Sequence, residues 1–418
     1  MRKIYFVLVL TILFFHTYAQ QLTLIKPARV FDGENMHTDW VVLISNDTIA
    51  QVGALRIKLP ANAKIIELPN ATLMPGLIEG HSHLFLHPYN ETLWEDQVLK
   101  ESRAERTARA VNHAKATLMA GFTTVRDLGT EGAFYDDDGL KKAIERAIIP
   151  GPRMIIATRA IVAKGTYAPK SASADTEYPQ GAAEVSGADE MRKEVRIQIS
   201  KGADLIKIYS DNRWSINGEA APAFTLDEIK SAVEIANASG RPVVAHATTV
   251  EGMRRATLAG VATIEHGDLA TPEIFQLMKE RKVAFCPTLA ATDAYSQYRG
   301  WKKGTEPEPE PVTSKRKMFQ LALQSGVTIC MGGDVGVYTH GDNAREMELM
   351  VNYGMNPIDV LRSSTSVNAD VFGYGHKFGR VKKGLLADLI AVEGDPSQNI
   401  SQVRKLVLVM KGGKVVSL

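Results

Sequence analysis

The chain has 418 residues, 45% of them hydrophobic and 23% charged, the proportions of an ordinary globular protein with room for a large core and a smaller accessory unit. Its 49 basic and 47 acidic side chains nearly cancel, and Arg2 and Lys3 account for the excess. Such a balance gives no electrostatic reason to expect nucleic acid or an anionic membrane as a partner.

Residues 1–19 combine basic Arg2 and Lys3, an apolar run from Ile4 to Phe15, and small Ala19 ahead of Gln20. This predicts a signal peptide cleaved after Ala19, and so a periplasmic or secreted protein without a membrane partner once mature. The alternative is an uncleaved anchor, for which the apolar run is short.

From Leu22 to Met74, β-branched runs alternate with turn residues, as in "WVVLISNDTIAQVG", and a second such block, "GLLADLIAVEG" with "VRKLVLVMKGGKVV", closes the chain. Both read as small antiparallel strands, and neither block is long enough to bury a core alone. A β-sandwich built from both chain ends, residues 20–74 plus 381–418, follows.

Between them, residues 75–380 alternate short apolar runs with helical patterns. Predicted strands fall at 76–83, 123–129, 153–159, 204–210, 242–248, 262–268, 284–290 and 328–334, with helices such as "DEIKSAVEIANASG" (227–240) between. Eight βα units over this length predict an α/β fold, a TIM-type (β/α)8 barrel. Two long connections, 161–189 and 293–311, follow barrel strands, the first read as a lid and the second as a solvated tip or partial lid. The two cysteines, Cys286 and Cys330, fall in apolar runs on neighbouring predicted strands. They read as buried small hydrophobes, with a single disulfide as the alternative.

In a barrel the chemistry belongs at the C-terminal strand ends. His81 and His83 close the first strand, one residue apart and therefore on one face, a pincer for a borderline metal such as zinc. The fourth strand carries Lys207, the fifth His246, the sixth His266 and the eighth Asp334. A desolvated lysine loses its proton readily, and the neutral amine can take up carbon dioxide to give a carbamate able to bridge two cations. Asp334 can bind a metal and accept a proton from water.

These residues, in "GHSH" (80–83), "LIKIY", "VVAHA", "IEHG" and "GGD", resemble the binuclear amidohydrolase superfamily over nearly the whole mature chain. "PGLIEGHSH" and "GLLADLIAVEGDP" (384–396) belong to the same likeness. "AGFTTVRDLG" (120–129), "GADLIKIY" (202–209) and "HGDNAREMELMVNYGMNP" (340–357) look most like its Xaa-Pro dipeptidase and imidazolonepropionase-like group. Imidazolonepropionase uses one metal and lacks the bridging lysine, so Lys207 favours the dipeptidase side.

The resemblance implies a metal-dependent hydrolase of carbon–nitrogen bonds holding two divalent ions, expected to be zinc. His81, His83 and Asp334 would bind one, His246 and His266 the other, and carboxylated Lys207 would bridge them. A metal-activated hydroxide would attack a small amide, a dipeptide or N-acyl amino acid, with Asp334 moving the proton. Tyr209, His340 and Arg345 are candidate substrate contacts, a packing role being the alternative for each. Arg126 and Asp127 are read as a structural ion pair below the metals. A cyclic-amide hydrolase or deaminase on the same metal set, and a non-catalytic ligand-binding barrel, are the competing function classes. Self-association is left open.

Overall fold

A computed structural model describes residues 21–417 except 55–58, 61–62, 168, 170–172, 174 and 179; the expected signal peptide lies outside the described residues. Among the described residues no helix is long and apolar enough to cross a membrane. The chain is an α/β protein whose two ends meet in one eight-stranded sheet.

That sheet is not wholly antiparallel, as the sequence suggested. Leu22–Phe31 pairs in parallel with Lys64–Pro75 and antiparallel with Val41–Ser45. The hairpin Val41–Gly53 lies between the two parallel partners in sequence, so the chain must cross back before Lys64–Pro75 joins. Lys64–Pro75 then pairs antiparallel with Leu389–Glu393, which carries the C-terminal strands Leu406–Lys411 and Lys414–Ser417. All eight strands share one hydrogen-bonded sheet, and it curls: a bridge joins Thr48 to Leu386, and Ala387 N donates to Asp47 O. Ile25, Val42, Leu73, Leu389, Leu408 and Met410 fill the resulting core.

The central strands are parallel and buried on both faces, which explains their continuous apolar reading. Leu77–Ser82, Phe122–Asp127 and Arg153–Ile156 form one sheet. Ile206–Tyr209, Val243–Ala247, Thr263–His266 and Ala284–Cys286 follow in order in a second. Asp204 N donates to Ile156 O, linking the two sheets. Bridges from Phe285 to Ile329 and from Ser82 to Val335 return the pairing to the strand where it began. Helices lie between the strands. Leu226–Ala238, for one, starts with a Thr225–Glu228 capping box and is followed by Gly240 at φ +71°, both features favouring a defined helix length.

Four stretches depart from the sequence reading. The expected eighth strand, 328–334, forms no regular strand, with one bridge inside it at Ile329 and one just beyond it at Val335. At Gly332 a Cβ would lie 2.5 Å from Cys286 Sγ and 2.8 Å from His81 N, and Asp334 takes φ +62°, so close packing and a left-handed turn break the ladder. The seventh strand ends at Cys286, and Leu289–Tyr298 is helical after Thr288 turns at φ +50°. Of the two long connections, Ile161–Ala163 and Ala183–Val185 pair in parallel and Gly187–Ser200 is helix. Helices also claim both flanks of the second, Leu289–Tyr298 and Glu310–Ser325. Both cysteines are free and buried, so the disulfide alternative is not realised.

The sheet and the parallel strands are pinned together by Arg153, whose Nε donates at 2.5 Å and Nη2 at 3.1 Å to the buried Asp388 carboxylate. Replacing Gly332 with Ala is expected to destabilise the fold by about 1–3 kcal/mol through overpacking, read as a lower thermal midpoint by circular dichroism. An unchanged midpoint would show that the Cys286–His81 gap can open.

Candidate metal centre

Period-two alternation turns His81 and His83 the same way, and their Nε2 atoms lie 3.5 and 3.4 Å from one oxygen, Asp334 Oδ1. The His81 ring lies 5.0 Å from that of His266, and the His246 and His266 rings are 4.4 Å apart. Ligand atoms of His81, His266 and Asp334 all fall within 4.8 Å of one another, close enough to share a cation. Lys207 stands among them, fully buried, and its Nζ has no hydrogen-bond partner. Tyr209 shares the Lys207 face, is in register with His246, and stacks on its ring at 4.5 Å. Thus the six residues expected to bind metal are brought together, with Tyr209 beside them.

Local backbone geometry aims these groups. His266 adopts φ +76° and Asp334 φ +62°, left-handed values uncommon outside glycine and typical of functional strand ends. His83 Nδ1–H donates to Gly129 O at 2.9 Å, and His266 Nδ1 lies 2.8 Å from Thr288 Oγ1. His81 Nδ1–H donates at 3.0 Å to Glu265 Oε2, whose other oxygen accepts from Arg126 Nη2 at 2.8 Å. For His81 and His83 the acceptor at Nδ1 fixes the tautomer and frees Nε2 for the centre, and Thr288 orients His266.

Burial dominates the electrostatics. It pushes the imidazoles of His81 and His266 below the ordinary histidine range and that of His246 down to about 3, reinforced by neighbouring cations, with Lys207 acting on all three. These rings are therefore neutral, the form that binds metal. Burial also lowers Lys207, against the pull of Glu265 and Asp334, and raises Asp334, against His83 and Lys207. Glu79 is raised by burial to about 7 while receiving His81 N, Gly333 N and Asn343 Nδ2.

Other expected contacts lie elsewhere. Arg126 does not pair with Asp127. Its fork reaches Glu265 and Gly80 O, while Asp127 Oδ2 receives Leu84 N at 2.9 Å. Adjacent strand residues face opposite sides, so these two side chains part. Arg345 spends Nε and Nη2 on Asp293 Oδ2 and has Tyr338 beneath it. His340 is buried, donates from Nε2 to Leu86 O and stacks on His113 at 4.2 Å. The packing alternative describes both.

Glu79, Glu265 and Glu131 were missed. Glu79 was legible, being two residues before His81 on the same face. Glu265 was hidden because alternation sets it opposite His266, until the positive φ of His266 turns that ring back towards the centre. Glu131 lies in a turn that no periodicity marks.

A sequence profile of the amidohydrolase family matches residues 72–416. The chain is 28% identical to the ochratoxinase of Aspergillus niger, covering 92% of this chain and 84% of the relative. A crystal structure of a Xaa-Pro dipeptidase with methionine bound in its active site superposes with a TM-score of 0.84 at 30% identity, over 95% of this chain and all of the other. A prolidase complexed with N-methylphosphonate-L-proline gives 0.84 at 27%, with coverages of 95% and 100%.

Changing Glu265 to Gln leaves the Arg126 guanidinium buried without a counter-charge. Breaking such a pair is expected to destabilise by about 3–5 kcal/mol, measurable by urea unfolding. A loss below about 1 kcal/mol, the range of an ordinary surface substitution, would assign Arg126 to its carbonyl and hydroxyl partners alone.

Proposed function

The chain belongs to the amidohydrolase family and is a hydrolase of carbon–nitrogen bonds, and on that premise we propose that it is a binuclear dipeptidase-like enzyme. Its substrate in this reading is a dipeptide or N-acyl amino acid. The observation that carries it is Lys207, a buried amine with no hydrogen-bond partner amid four imidazoles and Asp334.

The donor set fits two divalent ions, expected to be zinc: His81, His83 and Asp334 for one, His246 and His266 for the other. The Lys207 amine, once neutral, would take up carbon dioxide and lose a proton, and the resulting carbamate would add bridging anionic oxygens to the single carboxylate, Asp334, in the set. Bound cations supply Lewis acidity, polarising an amide carbonyl and lowering the pKa of water from about 15.7 towards about 7. Asp334 would accept the proton of the attacking water and deliver it to the leaving nitrogen, a role its place beside His81 and His83 Nε2 allows. Glu265 and Arg126 hold His81 while this happens, and Tyr209 bounds the pocket beside His246.

The same reading takes residues 75–380 as a (β/α)8 barrel, supported by the returning order of strand pairing. Residues 20–74 with 381–418 form its sheet domain, and residues 1–19 export it to the periplasm or medium. The dipeptidase and prolidase likenesses support the substrate class.

With protein loaded with zinc in bicarbonate, free amino acid should be released from one family of C-terminal residues in a panel of dipeptides and N-acyl amino acids. Silence across the panel with two metal equivalents bound would overturn the dipeptidase reading in favour of a cyclic amide or deaminase substrate. Replacing Lys207 with Ala should reduce bound metal below two equivalents by elemental analysis, with partial recovery of activity in a short carboxylic acid. Unchanged metal content would remove the carbamate from the scheme.

A further inference from the structure

Glu131 is 2% exposed and sits in the turn that follows the strand Phe122–Asp127. Among the described residues its carboxylate receives three hydrogen bonds, all from neutral aromatic donors. Trp94 Nε1 donates at 2.9 Å and Tyr167 Oη at 2.6 Å to Oε2, and Tyr209 Oη donates at 3.3 Å to Oε1. Among the described residues no cation forms an ion pair with it. The nearby guanidinium of Arg106 is committed to Phe85 O and Thr130 O.

Burying an anion without a cation is unfavourable, and neutral donors only partly offset the loss of water. Carboxylates kept in such positions commonly serve a cation that arrives from outside. Glu131 is also rigidly placed. It holds φ +49°, a strained value for a residue with a side chain. Its turn is pinned by Gly129 O, which accepts from His83 Nδ1 at 2.9 Å, and by Thr130 N, which donates to Thr158 O at 3.0 Å. The turn that orients one expected metal ligand therefore also sets Glu131, and Tyr209 connects Glu131 to the ring of His246. Oε1, which accepts one long bond from Tyr209, keeps lone-pair capacity for a further donor.

We propose that Glu131 receives the free α-ammonium of the substrate, so that the site prefers free dipeptides to N-acyl amino acids. This rests on the hydrolase reading above and names the group recognised on the acyl half. The ammonium supplies the cation that Glu131 lacks among the described residues, and Tyr167, Tyr209 and Trp94 hold the carboxylate.

The test compares alanyl-X with propionyl-X, which differ only by the ammonium, X being the C-terminal residue the enzyme releases. A charge-assisted hydrogen bond predicts a kcat/KM ratio of about 10 to 100 in favour of alanyl-X. In Glu131→Gln that ratio should fall at least about tenfold, the change residing mainly in KM. An equal loss on both substrates in the variant would make Glu131 a structural clamp and overturn the proposal. If the variant does not fold, the native enzyme decides alone, since a ratio near one overturns it equally. A preference for propionyl-lysine over propionyl-X without one for alanyl-X would move the cation to the leaving half and likewise overturn it. Failure to cleave either substrate class would defeat the dipeptidase reading on which the proposal rests, whereas cleavage of both at equal rates defeats only the ammonium assignment.

Discussion

Lys207 Nζ lies where water cannot follow, and a charged amine there would be several kcal/mol less stable than in solvent. Its immediate neighbours are histidines whose own burial holds them neutral and a carboxyl that burial raises. Nothing in this set satisfies the amine directly. The surroundings are nevertheless rich in charge one layer out, where Glu265, Arg126 and Glu79 are all buried and hydrogen-bonded. The interior is thus built in two shells. An inner set of imidazoles, amine and carboxyl is shifted by burial, and an outer set of hydrogen-bonding groups, Glu265, Arg126 and backbone carbonyls among them, aims the inner side chains. The proposed cation pair with a bridging carbamate would satisfy both shells.

The outer shell also explains why the framework can be irregular where function needs it. The last segment before Asp334 gives up most of its ladder to let Gly332 pack against Cys286 and the His81 backbone. Asn368 compensates by donating to both Ile78 O and Met331 O, tying that segment to the first strand from below. Loss of regular pairing at one strand is thus repaired by a side chain from the helical region after it.

Much of this was legible in the sequence, and the illegible parts share a cause. Strands such as Arg153–Ile156 and Val243–Ala247 are read from apolar runs because both faces are buried. The histidine pair, Lys207 and Asp334 are read from residue type and position at strand ends. Positive-φ residues defeat the reading. Thr288 converts an expected strand end into a helix start, His266 reverses alternation beside Glu265, and Glu131 occupies a turn with no pattern. Arg345 and His340 show a different difficulty. A polar residue after a strand looks available until its partner, Asp293 or Leu86 O, is located in space.

The seam between Lys64–Pro75 and Leu389–Glu393 joins segments more than three hundred residues apart. Leu73 and Leu389, both fully buried, face each other's neighbours across it. Until the last strands emerge from the ribosome, Lys64–Pro75 presents an unpaired apolar edge, the kind of surface that invites aggregation. Such remote pairing places closure of the sheet late in folding. The C-terminal residues therefore act as a fastener for material made at the very start of synthesis. A chain shortened by its last three strands would lose the entire far side of a sheet whose other half is intact.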